Sequence, residues 1–180
     1  MASIWHRTAG RLRRLIGAED GNATIEFALI VPAFFTFFLM SVEVGVLLVR
    51  GAMLNRAVDL SMRELRLGTL SPMSHDGLKD SICDSALIIP DCANVVLVEL
   101  RPISTATWSP LTNSATCVDR NEDVQPVLTF QPGTKNDMML VRVCAVFDPF
   151  FPSGALASSI KLDDTGAYAM VTTSAYVNEP

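Results

Sequence analysis

The sequence predicts an α+β protein: a long N-terminal transmembrane and amphipathic helix, then a small disulfide-bonded domain with an antiparallel β-meander. Three observations carry this. From Phe27 to Val49 the chain is apolar apart from Glu43, Thr36 and Ser41. From Leu54 to Leu65 apolar or small residues recur at helical spacing, and four cysteines follow between 83 and 144. Val-rich runs separated by Pro and Gly turns fill the rest. Helices first and strands after, with one sheet face left to bury against a helix, is the α+β pattern.

The apolar run is long enough to cross a bilayer, which takes about 20 mainly apolar residues. Fifteen of the residues from Phe27 to Val49 are Leu, Ile, Val or Phe. Each contributes roughly 0.3–0.6 kcal/mol on the insertion scale, against about 3 for a central carboxylate and less for one near the end of the span. Insertion wins over Glu43. That acid is expected to reach up to the far interface, or else to pair with Arg50 of a neighbouring helix; the first is preferred.

Ahead of the run lies a basic head, residues 1–21, with Arg7, Arg11, Arg13 and Arg14 preceding Glu19, Asp20 and Gly21. A basic segment before an apolar one opens a secretory signal, but this run exceeds a signal core and no A-x-A-like site follows it. A signal anchor fits better, and a short leader removed ahead of the apolar run fits best.

Beyond the span the helix is expected to continue. Leu54, Ala57, Val58, Ser61, Met62 and Leu65 share one face, with Asn55, Arg56, Asp59, Arg63 and Arg66 mostly on the other. Gly68 is the natural stop. A helix over residues 22–67 would be about 69 Å long at 1.5 Å per residue, and Pro32 within it would lose the bond to Ala28 and bend it. Residues 68–180 then form the head domain. Ser71-Pro72 opens a turn, and a short helix is expected over 75–87, with Leu78, Ile82 and Ala86 inward. Strands are expected at 94–101, 126–130, 138–147 and 167–177, with a Thr, Ser and Pro-rich excursion from Pro102 to Asp123.

Cys83, Cys92, Cys117 and Cys144 are an even set without zinc spacing, which reads as two disulfides in an oxidising compartment. That places the head outside the cytoplasm; arginines on both sides of the span leave the charge rule tied. Cys83 and Cys92 flank the turn at Pro90, so a staple between them is preferred, with Cys117 to Cys144 as the other. Four cysteines allow three pairings, and spacing alone does not choose.

Gly21, four residues, then Glu26-Phe27 at the edge of an apolar helix resembles the processing site of type IV pilin-like proteins. Within them it is most similar to TadE-like minor pilins of the tight-adherence (Flp/Tad) branch. The branch's major pilins carry Tyr where this chain has Phe27. The resemblance implies cleavage after Gly21 by an aspartate membrane peptidase (the prepilin peptidase), with Asn22 as the new N-terminus. It also implies that Glu26 meets the N-terminal amine of a neighbouring subunit; the alternative is a carboxylate solvated among headgroups. The assembly residues are then Glu26, Pro32 and Glu43. Ile82-Cys83 and the terminal Glu179-Pro180 extend the likeness loosely. Implied partners are the membrane, the peptidase, other pilins and minor pilins, and the pilus assembly platform. The implied location is the inner membrane, N-terminus cytoplasmic and head periplasmic, with incorporation in a surface pilus.

Composition excludes some functions. Without residues 1–21, ten Lys and Arg stand against seventeen Asp and Glu, a net −7 that argues against nucleic acid. His6 lies in the leader, so His75 is the only other imidazole, and no G-x-S-x-G elbow accompanies it. Asp164-Thr165-Gly166 matches three common residues of aspartic proteases and more simply ends a hairpin loop. Asp163 and Asp164 lack a spaced ring of oxygen ligands, and there is no phosphate loop. No enzyme, cofactor, metal or small-molecule substrate is expected. Trp108 reads as a cover over the core rather than an adhesive contact. The competing reading is an uncleaved, membrane-anchored extracytoplasmic binding or adhesin domain.

Overall fold

A computed structural model describes residues 22–107, 115–122, 125–126, 128–152, 154, 156, 160, 162–163 and 165–179. Helix α1 spans Asn22–Leu67 and contains Pro32. It belongs to two units, one ending at Ser41 and one running from Val42 to the C-terminus. α1 stops where Gly68 takes a positive φ of 66°. The Gly68 and Thr69 N–H groups bond back to Leu65 and Glu64, closing the last turn in a conformation that a side chain would oppose.

In the second unit, helix α2 (His75–Ser85) is capped by Ser74, whose hydroxyl accepts from the Gly77 N–H at 3.1 Å. A single turn, α3 (Cys92–Val95), leads into strand β1, Val96–Ile103. β2 (Met138–Phe147) and β3 (Tyr168–Val177) complete an antiparallel sheet of order β1-β2-β3. Ala145 faces Val96, and Cys144 lies between Leu97 and Val171. The fold is α+β, with two disulfides, Cys83–Cys92 and Cys117–Cys144.

The amphipathic face read from spacing is the buried one. Leu54, Ala57, Val58 and Ser61 are fully buried, and Met62 and Leu65 nearly so. They join Leu78, Ile82 and Ala86 of the α2 segment and Val98, Leu100, Val141 and Val143 of the sheet in one core. Being central, β2 is covered on both faces; a second cluster of Leu97, Val118, Val146 and Ala167 packs on its far side. β3 alternates buried and exposed residues, as a strand with one packed face must.

Three local expectations change. Among the described residues of the strand expected at 126–130 no strand is formed: Phe130 makes an isolated parallel bridge to Leu100, whose N–H bonds to Thr129 and whose carbonyl accepts from Gln131. Pro126 and Pro132 bracket that stretch and cannot donate to a ladder. β1 also starts at Val96 rather than 94, because residues 92–95 wind into α3. The second helix ends at Ser85, not 87.

Candidate functional site

The feature most demanding of a partner is the N-terminal stretch of α1. Ile25, Phe27, Leu29, Ile30, Phe34, Phe35, Phe37 and Phe38 are all more than half exposed. They fall on every side of the helix, whose best window has a mean hydropathy of 2.1. A helix apolar all round is stable only when lipid or other apolar helices surround it. Two of its hydroxyls are turned inward on the backbone. Thr36 donates to the Pro32 carbonyl at 2.8 Å and Ser41 to that of Phe37 at 2.9 Å. Such bonds spare a polar group the cost of facing hydrocarbon.

The residues expected to matter for processing sit at the start of this stretch. Gly21 lies outside the described residues, and Asn22 is the first residue of α1. Glu26 is exposed on the helix, and Phe27 is 69% exposed. Pro32 lies nearly three turns into the helix, where its carbonyl serves Thr36.

Glu43 is placed otherwise than expected. Instead of reaching outward to an interface, it is 2% exposed. Its Oε1 accepts from the Tyr168 hydroxyl at 3.3 Å and from the Phe151 N–H at 3.4 Å. The chain folds its own donors over the acid, which removes the need for a long reach to water. Burial, with the Glu43 carboxylate beside it, pushes the Tyr168 phenol above its ordinary pKa. This chain's Arg50 lies over the Phe147 ring, 5.2 Å from its centroid.

Farther along, α1 is fastened to the head by polar links as well as the core. Thr172 donates to the Asn55 side chain. Ser61 and Ser81 hydroxyls meet at 2.8 Å, and Ser81 donates to Glu64. Arg66 pairs with Glu179 at 2.7 Å, so one of the terminal residues in the loose likeness holds the end of the helix. Spacing hinted at none of these contacts, since each joins residues distant in the chain.

Residues weighed for chemistry have structural employment. The His75 ring packs edge-on against Phe130 and its Nδ1 lies 3.1 Å from Asp76. Oδ1 of Asp163 accepts from the Thr165 N–H, the Thr165 hydroxyl and the Ala167 N–H, building the turn before β3. Burial works to raise the pKa of Asp163, but those bonds and nearby Arg120 outweigh it and hold the carboxyl below its usual value. The turn ends at Gly166, whose φ of 82° suits glycine. Trp108 and Asp164 lie outside the described residues. Among the described residues no group of three His, Cys, Asp or Glu is placed to hold a metal.

Sequence reasoning missed the buried ion pair between Glu99 and Arg142, neighbours across β1 and β2, with Arg142 Nε and one terminal nitrogen 2.8 and 2.6 Å from Glu99 Oε2. Glu99 interrupts a Val and Leu run in β1 and Arg142 is the one charge in an otherwise apolar β2, which was the available signal.

Residues 21–63 match the family model described as TadE-like protein. The match opens at Gly21 and covers most of α1, and the sheet lies outside it. No curated protein and no solved structure matches the chain.

Proposed function

We propose that this chain is a minor pilin or pseudopilin of a tight-adherence (Tad/Flp) pilus, anchored in the inner membrane by α1 with its disulfide-bonded head in the periplasm. The observation that carries the reading is an all-round apolar, exposed helix beginning at Asn22, at the point where the TadE-like match begins. The family supports involvement in the Tad pilus. The finer role adds leader removal after Gly21 by the prepilin peptidase, then transfer of the freed helix from bilayer to helical bundle.

That transfer is non-catalytic and exchanges lipid contacts for helix–helix packing. Glu26, a carboxylate at the edge of a low-dielectric layer, gains most from a cationic partner, and a neighbour's new α-amino group supplies one. The head then initiates, caps or supports the filament together with other pilins and the assembly platform. Two disulfides suit an oxidising compartment, which supports a head on the periplasmic side.

N-terminal sequencing of the membrane-extracted protein tests the reading. Asn22 is the expected first residue, and Gly21→Val is expected to leave the leader attached and abolish incorporation into fibres. An intact N-terminus in cells that make normal fibres would overturn it in favour of an uncleaved, anchored binding domain.

A further inference from the structure

The corner after β2, Phe147-Asp148-Pro149-Phe150-Phe151-Pro152, holds an aromatic ring that the core does not use. Phe150 is 62% exposed and stands edge-on to Phe151, ring centroids 5.0 Å apart. The corner is fastened to α1 at one level. The Phe151 N–H bonds to Glu43, and Phe147 lies under Arg50. Gly154, held to the Phe151 carbonyl at 2.8 Å, leaves room for the other Glu43 oxygen. Exposed apolar residues of α1 at that level include Val42, Val44, Leu48 and Val49. Asp148, the acid of the corner, is paired with Arg120 at 2.8 Å.

We propose that the Phe150–Phe151 corner is an interfacial anchor, a second contact through which the head inserts an aromatic wedge into the phospholipid surface beside the exit of α1. The inference rests on the membrane-anchored reading of α1. Its occupant follows from continuity: exposed Phe150 sits on a corner tied to α1 at Glu43, and the exposed apolar residues of α1 near that level run on, in the chain, into the span itself. Aromatic side chains are favoured at that depth, where an apolar body meets wet headgroups. Glu43 gives the corner its height. It is the only acid or base between Phe27 and Val49, and a bare carboxylate there is unfavourable in hydrocarbon. The corner's N–H and the Tyr168 hydroxyl cover it, so the same contacts that satisfy the acid hold the rings at the membrane boundary. From Glu26 to this level the helix runs 17 residues, ~25 Å at 1.5 Å per residue, most of the thickness of a hydrocarbon core.

The test uses the full chain in vesicles of phosphatidylethanolamine and phosphatidylglycerol brominated either near the headgroup or near the chain ends. With Trp5 and Trp108 changed to Phe, single tryptophan probes are introduced by Phe150→Trp, Phe34→Trp and, as a distant reference, Val177→Trp at the other end of β3. The expected result is loss of fluorescence at position 150 with shallow bromines, loss at position 34 with deep ones, and none at position 177. Adding Glu43→Ala is expected to release the corner and restore fluorescence at position 150 while position 34 stays quenched. Quenching at 34 but not at 150 would overturn the anchor and leave the span standing; quenching at neither would remove the membrane reading itself. Equal quenching at 150 and 177 would mean the head lies flat, which also overturns the anchor. So would shielding of position 150 that ignores bromine and rises with protein density, because a second copy would then cover the ring.

Discussion

At the scale of single residues, the tolerated position of Glu43 shows how a charge in an apolar helix can be accommodated without a long reach to water. Tyr168 and the Phe151 backbone are brought to it from more than a hundred residues away. The phenol also reports on the arrangement. The chain has two tyrosines, and both Tyr168 and Tyr176 are pushed above their ordinary value, by burial first and, for Tyr168, by Glu43. A raised folded value means stability is fully present below the unfolded pKa, about 10, and is lost as pH climbs toward the folded one. An absorbance titration in detergent should therefore show the tyrosinate midpoint of the folded protein above the ordinary one, with stability falling as pH rises past about 10. Glu99 and Arg142 give a second residue-scale case. Glu99→Ala removes the acid to which Arg142 donates at 2.8 and 2.6 Å, and should lower stability by about 1–3 kcal/mol in denaturant melts.

At the scale of elements, α1 does two unlike jobs along its length. Its N-terminal stretch exposes apolar rings all round, whereas from Leu54 onward one stripe is sealed in the core. Substitutions should divide accordingly. Leu54→Ala opens a cavity in a fully buried site and is expected to destabilise the head by about 3 kcal/mol. Leu48→Ala removes a side chain that is 68% exposed and should change head stability by less than ~0.5 kcal/mol. Chemical unfolding of the two variants in the same detergent checks the difference. The sheet was legible in outline from alternation and Val content. Its fourth expected strand was not, because pairing of 126–130 depends on whether β1 offers a matching edge and not on local composition.

At the scale of the whole molecule, the head is a modest core held by two covalent ties. Cys117–Cys144 closes a loop of 27 residues and Cys83–Cys92 one of 9. Loop entropy alone predicts contributions of about 3–4 and 2–3 kcal/mol respectively. Replacing Cys117 and Cys144 by Ser together should therefore lower the unfolding midpoint of the head more than replacing Cys83 and Cys92. The order of the two losses is the checkable point. The long-range tie also joins the 117 segment to the central strand, so its removal loosens the cluster of Leu97, Val118, Val146 and Ala167.

What the sequence alone determined is whatever repeats locally: the apolar run, the helical stripe from Leu54 to Leu65, the glycine that ends α1 and the G-x4-E-F signature. These follow from side chains acting on their own turn or on a uniform solvent, so spacing suffices to read them. Tertiary structure decided the rest. It chose one disulfide pairing out of three, left Phe130 with a single bridge, matched Glu99 to Arg142, and turned Glu43 inward. Each of these depends on which distant backbone arrives beside the residue, and arrival is set by packing of the entire core rather than by any window of the chain.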